Sequence, residues 1–139
     1  VIEDLDMKLQ SKNITVETSF GGDVWLKGNP MLIYSIFRNL MDNSIAYAGE
    51  NVKINIQLTG EDAKNYFFSF SDNGTGVNPD YLPYLFDRFY RIDKGRSRKT
   101  GGTGLGLSIV KNAVENHSGT INVHNKSTGG LEFTFSLHK

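Results

Sequence analysis

The chain has 139 residues, and its fifteen basic side chains balance fifteen acidic ones, for a formal net charge of zero at neutral pH. That length suits one domain whose core needs no metal or disulfide staple, and the absence of cysteine excludes a disulfide framework, a thiolate zinc site and a cysteine nucleophile. The charge balance argues against nucleic acid and other polyanions as partners, and no apolar run reaches the roughly 18 residues of a membrane span.

VIEDLDMKLQSKN places apolar residues at 1, 2, 5, 7 and 9, an incomplete pattern that reads as the end of a helix entering from upstream. NITVETSF (13–20) and DVWLKG (23–28) read as a β-hairpin around Gly21 and Gly22. Asn29 and Pro30 supply an N-cap and a first helical position, and a helix over 30–47 follows. At about 100° per residue, Ile33, Ile36, Phe37, Leu40, Met41, Ser44 and Ile45 share one broad arc of it. Ser35, Arg38, Asn39, Asp42 and Asn43 share the other, so two asparagines stand together one turn apart. VKINIQLT (52–59) and NYFFSFSD (65–72) alternate on either side of a turn at GED, which predicts an antiparallel pair. NGTGVNP breaks that pattern, and YLPYLFDRFYRI (81–92) predicts one or two helical turns after Pro79 and Pro83. DKGRSRKTGGTG has no apolar anchor and predicts a mobile loop. A helix over 105–117 carries Leu107, Val110, Val114 and His117 on one face and is closed by Gly119 at its C′ position. TINVHN and LEFTFSL form a final hairpin around Gly129 and Gly130. Hairpin-like pairs with two long helices imply an α+β fold, helices layered on one face of a mainly antiparallel sheet.

Three places on this scaffold can carry chemistry. In GGTGLGLSIV (101–110) glycines stand directly before a helix, where free amides and a partial positive charge can seat a phosphate; a plain turn with an N-cap fits the same residues. In DNGTGV (72–77) an aspartate at a strand's end precedes two glycines. It can accept a hydrogen bond from an exocyclic amine such as adenine's while Gly74 and Gly76 let a flat base pass, and an Asx turn is the alternative. The third is the asparagine pair: an amide oxygen can be a hard ligand for Mg²⁺, whereas asparagines on a helix can also be merely solvated. The chain contains no P-loop, no dinucleotide-binding GxGxxG and no HRD catalytic loop.

Taken in order, N39-LMD-N43-SIAY resembles an N box, D72-N-G-T-G76 a G1 box, F86-D-R-F89-Y-R an F box and G102-T-G-L-G106-L a G2 box. The chain thereby resembles, from about residue 13 to its end, the ATP-binding catalytic domain of bacterial sensor histidine kinases, within the wider family that includes gyrase-type ATPases. The resemblance implies a single domain over 1–139 with the two-layer Bergerat-type α/β sandwich. Within it, 1–12 would end a helix from an upstream dimerisation domain, and 92–102 would form an ATP lid. ATP and Mg²⁺ are the implied ligands. Asn43 would hold the metal and Asn39 line the phosphate cleft, Asp72 would bond the adenine amine, Gly74 and Gly76 would pass the base, and Tyr47 would pack along the nucleotide. Arg91 would reach the γ-phosphate, while Thr103, Gly104, Leu105 and Gly106 would cradle the phosphates. Asn39, Asn43 and Arg91 are thus the catalytic candidates. Phe86 and Phe89 read as core packing, and the lid cations Lys94, Arg96, Arg98 and Lys99 also fit a solvated charge run.

Two departures stand out. Ala46 occupies the place of a lysine that usually precedes the N-box tyrosine, removing one phosphate-facing charge. Asn29 replaces the usual aspartate before the helix, a mild change because both cap well. Position 39 separates subfamilies, because gyrase-type ATPases keep a glutamate there to activate water, and Asn39 cannot act as that base. The implied reaction is therefore transfer of the γ-phosphoryl group to a histidine on an upstream phosphoacceptor domain, in two-component signalling with a response regulator. The implied parent is a homodimer, this part of it cytoplasmic and without membrane contact, with anchorage in the inner membrane open. His117, His124 and His138 lack the phosphoacceptor's context and read as packing or surface residues. A serine kinase of the anti-sigma-factor kind and a degenerate nucleotide- or partner-binding module are the alternatives, the first opposed by Asn39 and FDRFYR, the second given some support by Ala46 but opposed by the intact Asn43, Asp72 and glycines.

Overall fold

The computed structural model describes residues 5–20, 28–87 and 106–139. Among them are helices α1 (Asp6–Ser11), α2 (Pro30–Tyr47) and α3 (Gly106–Asn116), and a 3₁₀ helix at Pro79–Tyr84. The strands are β1 (Thr15–Ser19), β2 (Lys53–Glu61), β3 (Asn65–Asp72), β4 (Ile121–Asn125) and β5 (Leu131–His138). They form one sheet in the order β1-β2-β3-β5-β4. Every neighbouring pair is antiparallel except β1 with β2.

The expected antiparallel pair is β2 with β3, and the expected closing hairpin is β4 with β5. β1 is different. Its partner among the described residues is β2, in parallel register from Thr15 opposite Lys53 to Ser19 opposite Gln57. The segment expected to pair with it, 23–28, lies outside the described residues apart from Gly28. Packing explains the parallel neighbour. Leu5 and Leu9 of the α1 region are buried, and Ile14 follows them into the core. The Ile14 amide donates to the Leu9 carbonyl and the Thr15 amide to the Val52 carbonyl, so β1 leaves α1 already aimed along the start of β2.

α2 begins as its sequence dictates. The Asn29 side chain accepts from the Met31 amide at 2.9 Å and Pro30 fills the first turn. Its buried arc is Ile36, Leu40, Met41, Ser44 and Ile45, and it packs beside α3, which buries Val110, Ala113 and Val114. Facing these helices, β2, β3 and β5 bury Ile54, Ile56, Phe68, Phe70, Phe133 and Phe135. Phe68 and Phe135 stack with ring centroids 5.3 Å apart, and Phe37 of α2 meets both rings edge-on at 6.1 and 5.8 Å. The opposite side of the sheet carries a registered polar row of Glu17, Asn55, Ser71, Glu132 and His124. One face is thus buried by helices and the other is polar, which is the expected layering.

The end of α3 corrects one expectation. The left-handed residue is Ser118, at φ 57°, not Gly119. Gly119 comes one place later, donates to the Val114 carbonyl at 3.0 Å as the closing bond of the cap, and is needed for space: a Cβ there would stand 1.8 Å from the Ser136 carbonyl oxygen.

Candidate functional site

The C-terminal half of α2, the end of β3 and the first turn of α3 meet around one cleft. It encloses about 580 Å³ including its open mouth; Asn43, Tyr47, Asp72 and Gly76 line it together with the apolar side chains of Val77, Leu85, Leu107 and Leu131. That mixture of apolar walls with a few polar groups suits a small organic ligand oriented by those groups.

Asp72 ends β3 and is only 4% exposed. Its Oδ1 accepts from the Gly74 amide at 2.9 Å and the Leu131 amide at 3.4 Å, and its Oδ2 accepts from the Ser44 hydroxyl at 3.2 Å. The Asx-turn reading of this residue holds through the Gly74 bond, and its second oxygen is held by Ser44 at the cleft. Three of about four acceptor positions of the carboxylate are used, and the remaining capacity lies on Oδ2. Ser44 was expected on the apolar arc and is buried there, but its hydroxyl orients Asp72 as no local pattern foretells.

The glycines after Asp72 have steric reasons. A Cβ on Gly74 would lie 2.3 Å from the Ala48 carbonyl oxygen, so the chain leaving β3 passes directly against the end of α2. Gly76 takes φ 68°, and a Cβ there would lie 2.7 Å from Asn125 Oδ1. That same Oδ1 accepts from the Val77 amide at 2.9 Å while Asn125 Nδ2 donates to the Val77 carbonyl, an amide clasp from β4 that fixes this wall of the cleft. Sequence reasoning missed Asn125 because the residues it joins are 48 positions apart.

The two asparagines of α2 do different things. Asn39 Nδ2 donates to the Ser35 carbonyl at 2.8 Å, and its Oδ1 lies against the start of α3, where a Cβ on Gly106 would approach it to 3.2 Å. The Asn43 carboxamide lines the cleft and makes no hydrogen bond to another described residue. Arg38 and Asp42, on the same arc, pair with one another at 3.2 Å instead, and the Tyr34 hydroxyl together with this carboxylate raises the Arg38 guanidinium pKa further. Tyr47 is 38% exposed at the cleft's edge. Phe86 packs edge-on against Phe133 at 6.1 Å, as a core residue. Arg91, Phe89, Thr103, Gly104, Leu105 and the 92–102 segment lie outside the described residues.

The histidines are packing and surface groups, as expected. His117 is buried, with Nδ1 2.8 Å from the Ala113 carbonyl and Nε2 accepting from the Asn29 amide at 3.2 Å. His124 lies 2.8 Å from Glu132, and His138 is exposed. No group of three or more His, Cys, Asp or Glu side chains among the described residues could hold a metal. A divalent ion at Asn43 would take one carboxamide oxygen from α2 and its other ligands from phosphate and water, a donor set that fits Mg²⁺.

Residues 28–139 match the family model described as histidine kinase-, DNA gyrase B- and HSP90-like ATPase. The sensor-like histidine kinase SenX3 of Mycobacterium tuberculosis is 38% identical over 125 residues, which cover 90% of this chain and 30% of that protein. The phosphate regulon sensor protein PhoR of Haemophilus influenzae is 34% identical over 131 residues, 94% of this chain and 31% of that protein. The chain thus spans under a third of the length of these relatives. Among solved structures, the catalytic domain of histidine kinase ThkA matches with a TM-score of 0.83 at 26% identity, over 99% of this chain and 87% of that one. ThkA in complex with the response regulator protein TrrA matches with a TM-score of 0.75 at 25% identity, over 99% of this chain and 38% of that one. The chain belongs to the histidine kinase-, DNA gyrase B- and HSP90-like ATPase family, and within it stands with the catalytic domains of sensor histidine kinases.

Proposed function

We propose that this domain binds Mg·ATP in the cleft between α2, the end of β3 and α3, and presents the γ-phosphoryl group to a histidine on an upstream dimerisation domain, with a response regulator as the later acceptor. The observation that carries the reading is the convergence of Asp72 and Asn43 on one cleft. A buried carboxylate with one acceptor position left selects an amine-bearing base, and next to Ser44 on α2, which holds that carboxylate, the Asn43 carboxamide with no described partner offers a hard oxygen. Asp72 would orient adenine through Oδ2, held in place by Ser44, while Gly74 and Gly76 leave room for the ring. Asn43 would hold Mg²⁺, which would supply positive charge to neutralise the phosphates. Asn39 braces the start of α3, whose amides, with Thr103, Gly104, Leu105 and Gly106, would take the phosphates, and Arg91 would approach the γ-phosphoryl group.

At position 39, one turn of α2 before Asn43, stands a carboxamide that cannot act as a general base. This supports transfer by positioning and charge neutralisation rather than rapid hydrolysis. Calorimetric titration with a non-hydrolysable ATP analogue, with and without Mg²⁺, tests the reading. Binding should be metal-dependent, and Asn43→Ala should abolish the metal dependence and weaken binding about tenfold or more, roughly 1.4 kcal/mol, with the fold intact. Nucleotide binding indifferent to Mg²⁺, or none, would leave a degenerate module in its place.

A further inference from the structure

We propose that Lys12, remote from every motif above, is a positioning residue for the nucleotide cleft, acting through the last turn of α2. α2 carries no basic residue in that turn. The carbonyls at a helix's C-terminal end lack intrahelical partners and carry partial negative charge, so a cation there is stabilising. The Ile45 carbonyl is one of these: its helical partner would be the Gly49 amide, but Gly49 has left the helix at φ 105°. Lys12 Nζ donates to that carbonyl from the turn between α1 and β1.

That turn is itself tied down. Leu9, just before it, is buried in the core, the Lys12 carbonyl accepts from the Asn51 amide at 2.9 Å, and Asn13 Nδ2 donates to Asn51 Oδ1 at 2.7 Å. Lys12 therefore reaches the end of α2 from a fixed base. Two and three residues beyond Ile45, Tyr47 and Ala48 line the cleft, and the Ala48 carbonyl is the surface against which Gly74 passes. Lys12 lines none of it. Holding the Ile45 carbonyl holds the turn that sets Tyr47 and the distance between Ala48 and the Asp72–Gly74 loop.

The inference rests on the Mg·ATP reading, so the experiment has one arm that does not need nucleotide. Lys12→Met, which keeps the apolar stem, Lys12→Gln, which keeps a neutral donor, and Lys12→Arg are compared with the parent chain. Without nucleotide, Lys12→Met should accelerate amide hydrogen exchange at Ala48 and Gly74 relative to amides of the β3–β5 ladder. With Mg²⁺ and a non-hydrolysable ATP analogue, its Kd should rise about fivefold or more, as for loss of a charge-assisted bond felt at one remove. Lys12→Arg should restore both, and Lys12→Gln should fall between them. Exchange that is unchanged, or faster evenly across the sheet, overturns the proposal, as does an arginine variant that rescues neither readout. A parent chain that binds no nucleotide sinks the Mg·ATP reading, and the exchange arm then decides the role of Lys12 alone.

Discussion

The carboxylate of Asp72 is divided between two tasks: Oδ1 closes the turn after β3 on two backbone amides, and Oδ2 is held toward the cleft by Ser44. Asp72→Asn keeps an oxygen for Gly74 and Leu131 but turns an NH₂ group toward the Ser44 hydroxyl and an incoming nucleobase amine. Donor then meets donor. Affinity for adenine nucleotides should fall about 100-fold, the cost of roughly 3 kcal/mol for a buried unpaired polar contact, while calorimetric melting of the unliganded chain changes far less. Asp72 and Asn43 could be picked out from spacing, because strand end, glycines and helical offset are local properties. Ser44 could not, since periodicity reports burial alone and its hydroxyl acquires a role only where β3 meets α2. Lys12 and Asn125 were invisible for the same reason, each acting across a long stretch of chain.

α2 was legible in both its bounds, for Asn29 and Pro30 act on the adjacent backbone and the apolar arc runs unbroken to Ile45. The β2–β3 pairing was equally local, but its turn falls later than GED, because Gly60 and Glu61 continue β2 opposite Phe67 and Tyr66. Its turn is held by Asp62, whose Oδ1 accepts from the Lys64 amide at 2.8 Å and the Asn65 amide at 2.7 Å, and these bonds hold the carboxyl pKa below its ordinary value. A depressed folded pKa means that the contribution is complete above the unfolded pKa and is lost as pH falls through the lower folded value. Asp62→Asn should therefore be less stable than the parent at pH 7, with the gap closing below about pH 4 in denaturant midpoints measured across the acid range. The parallel seat of β1 was not legible, since a glycine pair signals a turn but strand pairing is decided by what α1 and Ile14 bury. The need for a glycine at 119 was likewise not legible as space: the backbone of β5 leaves no room for a Cβ there, while Ser118 takes the left-handed conformation.

Among the described residues, one hydrophobic core joins helices and sheet, and α1 contributes Leu9 to it. The layered architecture followed from the alternation of two helical and several strand patterns, whereas the share of α1 in the core did not, because its apolar spacing is incomplete. Leu9 is 3% exposed. Leu9→Ala should cost about 2–5 kcal/mol in chemical denaturation, lost in the same single transition that melts the sheet; an early separate transition confined to α1 would contradict its place in the core.

Among the described residues, β1 pairs with β2 alone, in parallel, through five registered pairs. Tension arriving lengthwise from α1 would load those pairs in shear, sharing the force among them, whereas a sideways tug would peel them one after another. The β1–β2 junction is therefore stiff to a pull along the strand and weak to one across it.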